Sequence, residues 1–253
     1  MPRPAHRRTY ETDAIRVHWD SARCIHTGIC LRTLPQAFDV RRRPWVDIHA
    51  ADADAVADAV SRCPTGALRY ERLDGASGDE PDRPTLVVPI PDGPLMLHGD
   101  LDIRDADGEQ ISRENRVTLC RCGRSRNQPF CDNTHLVAGF RSGPANAPES
   151  DLPAPERADH DEPTLVKARH DASLDLRGAL RIMDADGTLI AETSRALLCR
   201  CGHSRNKPFC DGSHEKAGFR SQPSETAHER LEAESPAAFT PNRQVPDPEQ
   251  LES

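Results

Sequence analysis

The chain has 253 residues, of which 36% are hydrophobic and only 4% aromatic, with 22 prolines and a mean hydropathy of −0.69. A chain this polar cannot order all its residues around one large apolar core, so it is either partly disordered or built from small modules held by something else, and nine cysteines favour the modules. Its net charge of −8, from 41 acidic and 33 basic residues, gives no reason to expect a nucleic-acid partner.

Residues 14–73 form the first expected domain. They carry Cys24 and Cys30 in RCIHTGIC, and Cys63 in RCPTGALRY. The stretch ADADAVADAV at residues 51–60 predicts a short helix, with Val56 and Val60 four apart on one face, packing back before Cys63. Trp19 and Trp45 are expected in this domain's core rather than as a cofactor platform. Cys24, Cys30 and Cys63 with Pro64 keep three positions of the C-x2-C-x2-C…C-P frame used by bacterial ferredoxins, and Thr27 stands where the middle cysteine would be. The segment thus resembles the divergent single-cluster ferredoxin domains. With the central cysteine missing, that resemblance implies a [3Fe–4S] cluster, or a [4Fe–4S] cluster with a labile or non-cysteine fourth ligand. His26 is the nearest alternative ligand; the plainer readings are a loop histidine and three buried thiols.

A break at residues 74–83 leads into an internal repeat. Shifted by 79 residues, PTLV at 84–87 falls on PTLV at 163–166, and DADG at 105–108 on DADG at 184–187. CRCGRSRNQPFCDNTH at 120–135 falls on CRCGHSRNKPFCDGSH at 199–214, and AGFRS closes both units. Expected units are therefore residues 84–142 and 163–221, joined by a linker at 143–162 rich in Pro, Ala, Asp and Glu. Within them Leu95, Leu97, Leu101 and Ile103, and likewise Leu174, Leu176, Leu180 and Ile182, alternate as strands do, with Gly99 and Gly178 placed for bulges. DADG is a hairpin signal, and further strands are expected over residues 117–119 and 196–198. Each unit reads as a small β-structure ending in a cysteine-rich loop and a short helix, too small to stand without a staple. The acidic segment 222–253 is expected to be a disordered tail.

The repeated site has Cys120, Cys122, Cys131 and His135 in one unit, and Cys199, Cys201, Cys210 and His214 in the other. In extended backbone alternate residues share a face, so each C-x-C pair aims two sulfurs at one metal. The later cysteine and its histidine, four apart, share the face of a helical turn and serve a second. Asp211 is expected to cap that helix, and Gly212 to let the backbone approach a bulky cofactor. On spacing alone zinc and a two-iron cluster stand level, since Cys3His is an ordinary tetrahedral zinc set. The C-x-C pair, tighter than the usual C-x2–4-C knuckle, leans toward the cluster. Disulfides leave the histidines unexplained.

The pattern C-x-C-x2-[ST]-x3-P-x-C-D-G-[ST]-H resembles that of the CDGSH iron–sulfur proteins. The second unit fits throughout, at Cys199, Cys201, Ser204, Pro208, Cys210, Asp211, Gly212, Ser213 and His214. The first matches at Cys120, Cys122, Ser125, Pro129, Cys131, Asp132, Thr134 and His135, and departs at Asn133, a residue that tolerates left-handed backbone. The resemblance implies one [2Fe–2S] cluster per unit, held by three cysteines and one histidine. Single-motif members of that family are homodimers, so the resemblance offers an internal pseudo-two-fold pair of the two units, and the sequence leaves that arrangement and separate beads on a string both open. An imidazole in place of a thiolate raises the potential, and its protonation weakens the metal bond.

The chain is thus expected to be α+β, with a small ferredoxin-like N-terminal domain and two β-rich CDGSH-type modules. Its expected role is electron transfer or redox sensing, with a redox partner protein. Delivery of [2Fe–2S] to an apo-acceptor is the alternative, and a zinc-stapled scaffold the third reading. No positioned nucleophile, phosphate loop or substrate pocket is visible, so an enzyme is not expected. Nor is a secretory signal or a membrane span, since no apolar run follows the basic N-terminus or nears ~18 residues. Clustered cysteines then suggest metal or redox sites in a reducing cytoplasm. All but three of the basic residues are arginine, which reads as codon usage.

Overall fold

The computed structural model describes residues 7–149, 151–154 and 161–221, so the expected tail lies outside the described residues. The chain is mostly β, with a few short helices, rather than an even α+β mixture. Among the described residues, no helix is long and apolar enough to cross a membrane.

The N-terminal domain is an antiparallel sheet of β1 (Arg7–Glu11), β2 (Ile15–Asp20) and β3 (Leu68–Arg72), in the order β1-β2-β3. One helical turn, α1 (Ile29–Thr33), and the longer α2 (Ala53–Ser61) complete it. The predicted helix is present one turn-fraction later than its apolar pattern, because Asp52 caps it by accepting from the Ala55 amide at 2.8 Å. Val56 and Val60 are fully buried against Ile15, Val17, Phe38 and Leu68. Trp19 and Trp45 pack edge to face, centroids 5.1 Å apart, at the margin of that core and not within it.

The two repeats build one six-stranded sheet. In the first, β4 (Thr85–Pro89), β5 (Leu95–Arg104) and β6 (Gln110–Leu119) run antiparallel, as do β7 (Thr164–Ala168), β8 (Leu174–Met183) and β9 (Leu189–Leu198) in the second. The two triplets then exchange partners. The later half of β5 pairs in parallel with β7, and the later half of β8 with β4. The exchange is made where the register shifts between His98 and Leu101, and between Arg177 and Leu180, the positions of the two expected bulge glycines. At the centre the Thr85 and Thr164 hydroxyls, 79 residues apart, share a hydrogen bond of 2.7 Å. Of the two arrangements left open, the paired one is present, and both units contribute to one core of Leu95, Leu97, Leu101, Ile103 and their counterparts Leu174, Leu176, Leu180 and Ile182.

The segments read as breaks are tied down. Asp79 takes both oxygens to Arg116 at 2.7 Å. In the described part of the second linker, the Asn146 amide donates to the Lys207 carbonyl, and the Pro153 carbonyl accepts from Ser194 and Thr193.

Candidate metal centres

Each cysteine loop is closed by its own strand. β6 delivers Cys120, whose amide donates to the Pro129 carbonyl at 2.8 Å, and the Cys131 amide donates to Thr118 at 3.0 Å. The two halves of the motif are thereby drawn together. Inside the loop the Ser125 hydroxyl donates to the Phe130 carbonyl at 2.6 Å and accepts from the Asn127 amide. Asp132 accepts from the amides of Arg126 and Thr134. The second unit repeats every one of these contacts, through Cys199, Cys210, Ser204 and Asp211.

The donor atoms come in pairs. Cys120 and Cys122 sulfurs lie 3.6 Å apart, and the Cys131 sulfur lies 3.5 Å from His135 Nδ1. In the second unit the distances are 3.8 Å for Cys199 and Cys201, and 3.4 Å for Cys210 and His214. Backbone amides of Asn133 and His203 point at Cys131 and Cys201 sulfurs. A hydrogen bond from the Cys122 thiol, with amides of Gly123 and Ser125, brings the Cys120 thiol down to about 7; Cys122 is pushed up correspondingly. Cys199, with Cys201 as partner, comes down to about 6. Among the described residues, no group of three or more His, Cys, Asp or Glu closes around a single ion.

One expectation about these loops changes. Gly212 itself is the N-cap of α4 (Ser213–Lys216), with Asp211 one residue before it bonding the Ser213 amide. Gly212 holds left-handed backbone (φ 81°), and a Cβ there would meet no protein atom within 4 Å. Asn133 holds the same conformation (φ 68°) at the N-cap of α3 (Thr134–Val137), as its tolerance for that region predicts.

In the N-terminal domain a short 3-10 turn at Ser21–Arg23 presents Cys24, α1 carries Cys30, and Cys63 follows α2. All three line one cavity of about 1080 Å³, together with His26, Thr27, Trp19 and Trp45. The tryptophans thus contribute to the cavity wall, which the expected core position left out. His26 has a positive φ and sets Nδ1 3.7 Å from the Cys24 sulfur. Burial pushes the Cys24 thiol up to about 12, with Cys63 adding to it, and raises Cys30 also. Three thiols and an imidazole around one cavity form the soft donor set that iron–sulfur clusters take.

The cavity ends on the first repeat. Arg23 stacks 3.6 Å above the Phe130 ring and pairs with Glu114 at 3.3 Å, both buried, while Arg69 meets the same carboxylate. Arg116 and Thr118 donate to the carbonyls of Cys63 and Pro64. Asn127 and Asn133 side-chain amides each donate at 2.7 Å, to Ala22 and Ile25. Ile25 packs against Cys131, Val88 and Met96. The sequence reading missed these docking residues. The available signal was Asn133, the single departure from the motif, which is also the residue that reaches across.

Paired cysteine sulfurs on tight loops, with a histidine nitrogen beside the third, suit an iron–sulfur site. Comparison with known families agrees: "Divergent 4Fe-4S mono-cluster" matches residues 10–73, and "Iron-binding zinc finger CDGSH type" matches 92–136 and 171–215. The chain belongs to these iron–sulfur families, as a divergent 4Fe-4S mono-cluster domain followed by two tandem CDGSH domains. Relatives include the "Uncharacterized protein YjdI" of Escherichia coli, in strain K12 and in O157:H7. Each is 35% identical over 63 residues, covering 25% of this chain and 83% of the relative.

Proposed function

We propose that the chain is a three-centre electron carrier. Cys120, Cys122, Cys131 and His135 would hold one [2Fe–2S] cluster, and Cys199, Cys201, Cys210 and His214 the second. Cys24, Cys30 and Cys63 would hold a [3Fe–4S] or [4Fe–4S] cluster, with His26 within reach as the fourth ligand. The pairing of donors, two sulfurs and then sulfur with imidazole nitrogen, supports two metals per CDGSH site over one zinc. Bound clusters would each supply one-electron chemistry. The chain's own residues position the ligands, exclude water from Cys120, Cys131 and Cys199, and join the three sites.

Continuity carries this reading. The Ile25 carbonyl, one residue after Cys24, meets Asn133 of the first CDGSH loop. That loop in turn packs on the second, where a Cβ at Gly123 would stand 2.7 Å from the Cys201 carbonyl. Three sites in an unbroken chain of contacts suit a relay between a donor and an acceptor protein. A cluster carrier is the second reading, favoured by the half-exposed Cys210 and His214. An organic substrate of its own forms no part of either.

The deciding measurement is iron and acid-labile sulfide per chain in protein purified without oxygen, where about seven or eight irons are expected. About four would remove the N-terminal centre, and stoichiometric zinc without iron would overturn the proposal. Fast reversible reduction by a reductase, against slow transfer to an apo-ferredoxin, then separates carrier of electrons from carrier of clusters.

A further inference from the structure

Both CDGSH loops read Cys-Arg-Cys, and the arginine between the cysteines is buried in each, Arg121 and Arg200 being 3% exposed. A guanidinium keeps its charge at any ordinary pH, and burying one without a counter-charge costs several kcal/mol. Among the described residues neither has a carboxylate within ion-pair distance. Arg121 spends its donors on the carbonyls of Gly93 and Ile90. Arg200 donates to the Arg169 carbonyl at 2.8 Å and to Gln128 Oε1 of the other module at 3.1 Å, and its Nε has no partner. Each lies beside an aromatic ring of its own module, Phe140 or Phe219, at 5.6 Å. Asp92 and Asp171 act on them only from longer range.

The negative charge they lack belongs to the metal sites. Two ferric ions, two sulfides, three thiolates and a neutral imidazole leave one net negative charge per site, enough to balance one guanidinium. Which site balances which arginine follows from how the loops pack. Gly123 lies against the backbone of Cys201, and Gly202 against that of Cys122. The two Cys-Arg-Cys loops are therefore back to back. Gln128 locks the crossing, taking Arg200 on its oxygen while its amide donates to the Gly123 carbonyl.

We propose that Arg121 and Arg200 are exchanged counter-charges, each guanidinium setting the reduction potential of the cluster site in the opposite module. They are positioning residues in this sense, touching no ligand-forming atom directly. The inference rests on the two-iron reading of the CDGSH sites and fails separately from it, because the iron count tests the reading and the variants below test the crossing.

The experiment is a spectroelectrochemical titration of the full chain in a His214→Cys background. Replacing that imidazole by a thiolate lowers the potential of the second module's site and marks its wave. Adding Arg200→Gln is expected to lower the unmarked first-module wave more than the marked one, and Arg200→Lys to restore most of the shift. Arg121→Gln is expected to move the marked wave instead. If Arg200→Gln does not accumulate, the smaller displacement in Arg200→Lys must still fall on the first-module wave. A shift confined to the arginine's own module, or no shift in either, overturns the proposal.

Discussion

The two CDGSH modules share a motif, a fold and nearly every loop hydrogen bond, yet they do not share an environment. In the first, Cys131 and His135 are 4% and 3% exposed beneath the N-terminal domain. In the second, Cys210 and His214 are half-buried, and the glycine at the position of Asn133 faces open space. The same donor set therefore lies in the interior in one module and near the surface in the other. What distinguishes them is decided by neighbours outside the motif.

The comparison breaks most severely at Glu114. It is the buried anion under both Arg23 and Arg69, and its counterpart in the second module is Thr193. Glu114→Ala leaves Arg23 as an uncompensated buried cation, at an expected cost of about 3–5 kcal/mol. Thermal unfolding should show the loss, while Thr193→Ala in the second module, which removes the hydroxyl bond to Pro153, should cost about 1 kcal/mol.

A smaller effect comes from His98, whose counterpart Arg177 is exposed and paired with Asp175. Burial, with Arg116 adding to it, holds the His98 imidazole down to about 3, against 6.5 for a free histidine, and outweighs the Asp82 carboxylate 3.7 Å from its Nδ1. The fold keeps it neutral while the unfolded chain takes up a proton. Its effect on stability is therefore flat above pH 6.5, and stability declines as pH falls from there toward 3. About 2 kcal/mol should be gone at pH 5. Urea denaturation at pH 7.5 and pH 5 should show that difference in the parent and a smaller one in His98→Gln.

The smallest effect sharpens the comparison. Asn133→Gly gives the first module the second module's motif and removes the bond to Ile25, for about 1 kcal/mol. Iron loss to a chelator should be biphasic in the parent, the fast phase belonging to the second module. The variant should draw the slow phase toward the fast one. An unchanged slow phase would mean that Asn133 does not hold the cover in place.

The repeat, its strands and the donor sets were legible in the sequence because each has a local signal. Alternating leucines mark strands, DADG marks a hairpin, and Cys131 four residues before His135 marks a shared helical face. The duplication offered the pairing of the modules as one of two arrangements, and the parallel pairings of β4 with β8 and β5 with β7 decide between them. The docking of the N-terminal domain could not be foreseen. Arg23, Glu114 and Arg116 are charged residues, which sequence patterning assigns to solvent, and they are buried here only because the opposing charge arrives from another domain. Arg121 and Arg200 were lost within an arginine bias that looked like codon usage.

The partner exchange between β5 and β8 also governs how the chain can be made. During synthesis β4 and the later half of β5 emerge first, and their parallel partners arrive only with β8 and β7, 95 and 63 residues later. Until then the first repeat has open edges and unpaired backbone donors, a state that pairs with whatever strand it meets. No cut between the repeats yields a finished half. A ribosome stalled in the linker would therefore carry an incomplete sheet, and a second nascent copy at the same stage would be its nearest substitute partner.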